Sequence, residues 1–308
     1  MNGYSLRSKQ YGDLLEKQFQ SHSLGKRLGE VPLFQALQAS IVSTAPRFPV
    51  EELHGRRSHV DFHAQPWTRP SGRCELCDLC IVWFRRKPTP EGKITFLQAK
   101  LSKRPHALCR SWAGPVTEVF YGDSTQWHLL HNRPRIRGSY STFRPPPNLL
   151  EHALLSSIGS FCVFHSKAPQ TYDFFYASAA VVTAARPRKA GNVLLKIAAS
   201  AVAASARSYT EQLWACCPKT FGMALYSGFV GTPFDYNNVV SSRDDSHRDS
   251  VRRWLAATLS AAARQQRIGP VVTTFLNTFD LGAVPDQKSN VPGRAIIFIH
   301  GEEEENRQ

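Results

Sequence analysis

The chain has 308 residues, of which 42% are hydrophobic and 20% are charged, an ordinary balance for a protein with a buried core that excludes disorder as the main state. Its 38 Lys and Arg residues exceed its 24 Asp and Glu residues, and the formal charge is +14. This surplus favours a polyanionic partner, with nucleic acid ahead of an anionic membrane surface. No apolar run reaches the roughly 20 residues of a membrane-spanning helix, and the N-terminus has no secretory signal pattern. We therefore expect no membrane segment, and the seven unevenly placed cysteines favour a reducing, cytoplasmic location.

The first half of the chain predicts helices followed by strands. Apolar residues at helical spacing indicate the helices, and short apolar runs bounded by polar residues indicate the strands. The predicted elements are a helix over 8–20, a helix over 31–42, a strand over 59–67, a buried strand over 76–84, a turn over 85–92, a strand over 93–100 and a helix over 123–131 capped by Ser124.

The second half is rich in Ala and Ser, and its pattern predicts a mainly helical region. Helices are predicted over 193–217 and 248–267, with a last strand at Ala295–His300. The proline run at 145–147 predicts an internal boundary. It separates a core over 1–145 from a mixed α/β extension over 146–308, which can also pack on the core as one domain. The predicted fold class is α/β or α+β, with a mixed sheet flanked by helices.

Three polar residues lie where the predicted strands over 76–84 and 93–100 would meet. Asp78 stands near the start of the first strand, and Gln98 and Lys100 stand at the end of the second. Side chains alternate along a strand, so Gln98 and Lys100 share one face. If the strands form a hairpin, a carboxylate, an amide oxygen and an ammonium group meet at one sheet edge. Such a set can hold a hard cation and assist hydrolysis of a phosphodiester.

An acid, a short apolar strand, a turn and a strand ending in (Asp/Glu)-x-Lys resemble the core of the PD-(D/E)xK nuclease superfamily. The phrases Glu75-Leu76-Cys77-Asp78 and Phe96-Leu97-Gln98-Ala99-Lys100 carry this resemblance. Gln-x-Lys is similar to a minority pattern that includes Mrr-type restriction endonucleases and bacterial nuclease-like proteins, some associated with anti-phage defence. The resemblance covers about residues 59–130 and implies a restriction-endonuclease-like fold.

The resemblance also implies roles for single residues. Asp78 matches the metal-binding carboxylate, Gln98 the second metal ligand and Lys100 the catalytic lysine, with Mg²⁺ or Mn²⁺ as the cofactor. An additional acid from a preceding helix is matched by Glu16 or Glu30, and Glu75 is a third candidate. The superfamily usually has an acid where this chain has Gln98. The sequence therefore leaves open both weaker metal binding and an inactive descendant of these nucleases.

Basic residues near these strands predict contacts with nucleic-acid phosphates. The candidates are Arg85, Arg86 and Lys87 in the predicted turn, and Lys103 and Arg104 after the second strand. Because both groups adjoin the Asp78–Lys100 segment, we expect them within reach of the site. DNA is favoured over RNA as the partner, and a homo-oligomer or a partner protein from a multi-gene system is also consistent with the sequence.

Cys74, Cys77 and Cys80 form a Cys-x₂-Cys-x₂-Cys pattern that suggests zinc or an iron–sulfur cluster. No second pair follows at a convincing spacing, and cysteines within one strand point to opposite faces. We therefore favour buried thiols over a metal centre here. The leading hypothesis is a metal-dependent nuclease, and the alternative is an inactive nuclease-fold protein that binds nucleic acid or serves as an assembly subunit.

Overall fold

The centre of the protein is an eight-stranded mixed sheet in the computed structural model, which describes residues 4–55, 58–63, 72–103, 118–185, 191–197, 211–235, 242–281 and 293–301. The strands are β1 (Val50–His54), β2 (His59–Phe62), β3 (Gly72–Glu75), β4 (Leu79–Arg85), β5 (Glu91–Leu101), β6 (Glu118–Asp123), β7 (Ile136–Gly138), β8 (Gly159–Ala168), β9 (Thr171–Ser178), β10 (Val182–Ala184), β11 (Asn192–Ile197), β12 (Trp214–Ala215), β13 (Thr232–Asp235) and β14 (Ala295–His300). The helices are α1 (Leu6–Ser23), α2 (Glu30–Val42), α3 (Ser124–Asn132), α4 (Pro218–Tyr226), α5 (Ser242–Ala263) and α6 (Pro270–Thr278).

The central sheet has the order β1-β14-β4-β5-β8-β9-β12, and β13 pairs with the first part of β5. Strands β4 and β5 form an antiparallel hairpin, whereas β14 runs parallel to β4 and β8 runs parallel to β5. Two three-stranded sheets, β10-β11-β6 and β3-β2-β7, accompany it. The hairpin is therefore enclosed on both edges by strands that come from later in the chain.

Both faces of the central sheet are covered, which explains why β4 is apolar almost throughout. Leu79, Ile81 and Trp83 pack with α1, α2 and α4 in one core cluster. Cys80 and Val82 belong to a second cluster, which includes residues of α3, α5 and α6. A strand with two buried faces needs apolar residues at consecutive positions rather than at alternate ones.

Most elements predicted in the first half are confirmed, with shifted ends. The predicted strand over 76–84 begins later, at Leu79, because residues 76–78 form the connection from β3. Asp123 rather than Ser124 caps α3, since its carboxylate accepts the backbone N–H groups of Thr125 and Gln126. The strand predicted over 59–67 ends at Phe62, and residues 64–67 lie outside the described part.

The prediction of a mainly helical second half is wrong. Strands β8 to β14 lie there, and the segment over 193–217, predicted as a helix, contains strands β11 and β12 where it is described. The predicted helix over 248–267 is present as α5, and the last strand has the predicted bounds. Strands from both sides of residue 145 are hydrogen-bonded in the central sheet. No helix within the described ranges is long and apolar enough to cross a bilayer.

The second residue before β14 adopts a backbone conformation that depends on glycine. Gly293 has a φ of 68°, and an added Cβ would lie 2.8 Å from the carbonyl oxygen of Asp78. The N–H of the next residue, Arg294, donates to that same oxygen at 2.8 Å. The glycine thus permits a close approach of β14 to the start of β4.

Replacing this glycine should destabilise the protein by strain and by collision together. Gly25→Ala is the matched control, because Gly25 has a φ of 71° but nothing within 4 Å of an added Cβ. We expect Gly25→Ala to cost about 1 kcal/mol from the left-handed backbone alone, and Gly293→Ala to cost roughly 1–3 kcal/mol more. Denaturant unfolding of both variants measures the difference. Equal losses would contradict the close packing of Gly293 against Asp78.

Candidate active site

The site lies where β4 begins and β5 ends. Leu79 pairs with Leu97 in the hairpin, so Asp78, just before β4, stands beside the last residues of β5. Gln98 and Lys100 continue the face of Ile94 and Phe96, which are buried in the core. The structure therefore brings together the three residues that the sequence motif joins. All three are buried, with 7%, 1% and 8% of Asp78, Gln98 and Lys100 exposed.

Asp78 is tied to the backbone of its neighbours. Its N–H donates to the carbonyl of Leu97 at 3.0 Å, and its Oδ2 accepts the N–H of Ala99 at 2.8 Å. Its Oδ1 lies 3.8 Å from Nε of Arg294. One carboxylate oxygen is thus held by β5, and the other faces a cation across a distance too long for a hydrogen bond.

Gln98 presents a buried oxygen with no hydrogen-bond partner. Its Nε2 donates to the carbonyl oxygen of Glu75 at 3.1 Å, which fixes the amide plane. Its Oε1 is buried and accepts no hydrogen bond in the part of the chain that the structure describes. A buried polar atom without a partner is costly and uncommon in a native protein. A ligand that accepts electron density from this oxygen, such as a cation, would remove that cost.

Lys100 extends from the end of β5 to the first residue of α2. Its Nζ lies 3.9 Å from Oε1 of Glu30, and its ammonium is held in a largely buried position. Its stem passes Gly122 of β6, where an added Cβ would lie 3.6 Å from Cδ. Of the two helix acids left open by the sequence, Glu30 is therefore beside the site. Glu16 is instead in the electrostatic environment of Asp173, Lys167 and Asp13.

Arg294 is a further charged residue at this site that the motif does not include. It precedes β14, which runs parallel to β4 in a register that pairs Ala295 with Leu79. The guanidinium therefore lies next to Asp78, and it also stands 5.6 Å from the ring centre of Phe34. No local sequence signal identifies this residue, because its position depends on a strand pairing far along the chain.

The two glutamates hold their protons more tightly than ordinary glutamates do. Burial raises the pKa of Glu30, and the charge of Asp78 adds to this effect, while Lys100 and Arg294 oppose it. Burial likewise raises the pKa of Glu75, and the charge of Asp78 raises it further. Three neighbours lower it: Arg294, Ser58 and Lys100. Groups with perturbed pKa values that share charge partners are typical of functional sites.

The predicted reach of the turn arginines to this site is wrong. The pairs Leu79–Leu97 and Arg85–Glu91 mark opposite ends of the hairpin, and six residues of strand separate them by about 20 Å. Arg85 also has an ion pair with Glu91 at 2.8 Å. Arg86 and Lys87 are exposed at the same distant turn. Lys103, two residues past β5, is exposed at the site end, and Arg104 lies outside the described residues.

The three clustered cysteines are free thiols divided among β3, its connection and β4. Cys77 and Cys80 are fully buried, and Cys74 is partly buried. Burial raises the pKa of all three thiols, so each favours its protonated form. A protonated buried thiol packs as a small apolar group and is a poor metal ligand.

The oxygen atoms at the site match the preference of a hard divalent cation. Asp78 Oδ1 and Gln98 Oε1 are oxygens of the kind that suits Mg²⁺ or Mn²⁺, and the carboxylates of Glu30 and Glu75 add negative charge nearby. Within the described ranges, no group of three or more His, Cys, Asp or Glu side chains is arranged for a metal ion. A metal site here would therefore depend on the amide of Gln98.

Comparisons of the chain with models of protein families, with curated proteins and with solved structures find no match. The functional assignment must then come from the arrangement of the residues themselves. That arrangement consists of three carboxylates, one buried amide and two cations at the end of a β-hairpin.

Replacing Glu75 with glutamine should stabilise the protein at neutral pH. Because folding raises the pKa of Glu75, the folded protein keeps the carboxyl proton at pH values where the unfolded chain has released it. At pH values above the pKa of Glu75 in both states, this group lowers the free energy of unfolding. The penalty disappears as the pH falls below both pKa values. Glu75→Gln should raise the free energy of unfolding at neutral pH, with a smaller gain in acid.

Denaturant titrations at the two pH values measure this effect. Glu151→Gln is the control, since Glu151 is a surface residue in an exposed pair with Arg135 and should change stability little. A loss of stability at neutral pH in Glu75→Gln would show that its carboxylate is held more favourably than its burial indicates.

Proposed function

We propose that the protein is a metal-dependent nuclease that hydrolyses phosphodiester bonds, with DNA favoured over RNA. The observation that carries the proposal is the buried Oε1 of Gln98, which has no hydrogen-bond partner among the described residues and belongs to the strand end that holds Asp78 and Lys100. The likeness of this motif to PD-(D/E)xK nucleases and the positive charge of the chain support it. A restriction-endonuclease-like fold and a cytoplasmic anti-phage role belong to the same proposal.

Each residue has a role that follows from its environment. Asp78 and Gln98 would hold Mg²⁺ or Mn²⁺, which when bound supplies charge to offset the phosphate and makes water more acidic. Gln98 is fixed by its hydrogen bond to the Glu75 carbonyl, so its oxygen is oriented without further reorganisation. Preorganised groups of this kind are effective because they need not reorient during the reaction.

Lys100 acts on the reacting phosphate. In hydrolysis, a water oxygen forms a bond to phosphorus while the bond to the leaving sugar oxygen breaks. The ammonium can orient the attacking water or stabilise the negative charge that develops on the phosphate oxygens. The Glu30 carboxylate faces this ammonium at the end of β5, 3.9 Å away. We therefore assign Glu30 as a positioning residue rather than as a metal ligand.

The alternative is a nucleic-acid-binding or assembly protein in which this site no longer catalyses. The neutral amide at Gln98 favours it, since an amide supplies less negative charge to a cation than a carboxylate does. This alternative predicts nucleic-acid binding that weakens steeply with salt and does not respond to Mg²⁺. Binding of Mg²⁺ that depends on Asp78 and Gln98 would count against it.

Substitutions at the site should separate metal binding from hydrolysis. We expect Asp78→Ala to abolish the calorimetric signal of Mg²⁺ binding, and Gln98→Ala to weaken it. Lys100→Ala should retain Mg²⁺ but lower the cleavage rate of duplex or single-stranded DNA by about 100-fold or more. RNA of the same sequence serves as the competing substrate.

Lys17→Ala is the matched control, because Lys17 is an exposed lysine on α1 outside the site. It should bind Mg²⁺ and cleave DNA as the unmodified protein does. Equal cleavage by the unmodified protein and the Asp78 and Lys100 variants would exclude this mechanism. Mg²⁺ binding unchanged in both Asp78→Ala and Gln98→Ala would exclude the metal site.

A further inference from the structure

Arg294 is positioned at the site by its backbone, independently of its side chain. Its N–H donates to the Asp78 carbonyl at 2.8 Å, and its own carbonyl accepts the N–H of Gly55 at 2.8 Å. These bonds connect β14 to the start of β4 and to the end of β1. The residue at this position must therefore project beside Asp78, whatever its side chain is.

The two cations of the site differ in how they are held. The Lys100 side chain is 10% exposed and paired with Glu30, whereas the Arg294 side chain is 45% exposed and lies 3.8 Å from Asp78 Oδ1. In the described part of the chain, the Arg294 guanidinium has its ion pair with this carboxylate and lies near the Phe34 ring, and its charge also acts on Glu30 and Glu75. Its N–H donors thus remain available to solvent or to a ligand.

We propose that Arg294 is the phosphate-binding residue of this site and that it exchanges partners when a divalent cation binds. The proposal rests on the proposed nuclease function. Without the cation, the guanidinium balances the charge of Asp78. With the cation bound to Asp78, the guanidinium is displaced and binds a phosphate oxygen of the nucleic acid.

Three physical considerations support this exchange. A guanidinium presents five donors in a planar fork that matches phosphate oxygens, which an ammonium does not. An ion pair at 3.8 Å with one exposed partner is weak and easily replaced. Finally, the guanidinium carbon lies 5.6 Å from the centre of the Phe34 ring, within the range of a cation–π interaction that can keep the side chain at the site when its partner changes.

The exchange has a consequence that distinguishes it from a structural role. Arg294 and a divalent cation compete for Asp78 Oδ1, so removing Arg294 should tighten metal binding. The same substitution should weaken nucleic-acid binding, because a phosphate contact is lost. General damage to the site would instead weaken both.

The experiment compares Arg294→Ala, Arg294→Lys and Arg47→Ala in the full chain. Arg47 is an exposed arginine that follows the far end of α2, a helix whose length from Glu30 is about 18 Å. Calorimetry measures Mn²⁺ affinity without nucleic acid. Fluorescence anisotropy of a labelled DNA oligonucleotide, with Mn²⁺ present and in a Lys100→Ala background that prevents cleavage, measures DNA affinity.

For Arg294→Ala we expect Mn²⁺ affinity to rise several-fold and DNA affinity to fall by about tenfold, the usual effect of losing a charged hydrogen bond. Arg294→Lys should bind Mn²⁺ nearly as the parent does and should recover only part of the DNA affinity, because it lacks the fork. Arg47→Ala should change Mn²⁺ affinity little.

Weaker Mn²⁺ binding in Arg294→Ala, or unchanged affinity for both ligands, would overturn the exchange. Failure of the proposed nuclease function gives a different result, which the Asp78→Ala variant reports. If Asp78→Ala binds Mn²⁺ and cleaves DNA as the parent does, the nuclease site itself is excluded. If Asp78→Ala is inactive while Arg294→Ala retains full DNA affinity, only the role of Arg294 is excluded.

Discussion

The buried carboxylate of Asp78 is the interaction on which the site depends. Its backbone and side chain bond to Leu97 and Ala99 of β5, and its carbonyl accepts the N–H of Arg294 before β14. One residue thus connects three strands at the point where the reactive groups meet. A charge removed from water is costly unless it is paired or hydrogen-bonded. The N–H of Ala99 and the facing guanidinium supply that compensation to the carboxylate, which explains why it can be almost wholly buried.

The site is less stable than an apolar edge of the same sheet would be. Glu30 and Glu75 both hold raised pKa values because burial disfavours their ionised forms, and the charge of Asp78 adds to the effect. The Gln98 oxygen, which has no hydrogen-bond partner within the described ranges, carries a further cost. Two apolar clusters on the faces of the sheet offset these penalties. Such a concentration of unfavourable groups in one place is characteristic of functional sites, where stability is traded for reactivity.

The local part of the fold and of the site could be predicted from sequence, and the non-local part could not. Strand alternation sufficed to place Gln98 and Lys100 on one face, and hairpin geometry sufficed to bring Asp78 beside them. The same geometry places Arg85 at the opposite end of the hairpin. Its closeness to Asp78 along the sequence therefore does not make it close in space. Strand β11 has the period of a strand, because its buried residues alternate along the chain (Val193, Leu195 and Ile197). The Ala-rich sequence that follows it suggested a helix. The position of Arg294 requires the β14–β4 register, which no short pattern specifies.

The charges of the site account for a neutral amide at position 98. With Glu30, Glu75 and Asp78 ionised, three negative charges face the two positive charges of Lys100 and Arg294, and one negative charge is in excess. A divalent cation would reverse this to one positive charge, and a single phosphodiester would then neutralise it. A carboxylate in place of Gln98 would make the site with its cation neutral, and a bound phosphodiester would then leave one negative charge without a partner. Under the proposed function, a glutamine would therefore supply a ligand oxygen and leave the site neutral once the cation and the phosphate are both bound. In the proposed function, the surplus of +14 on the chain would act in the same direction, since a positive charge attracts a polyanion.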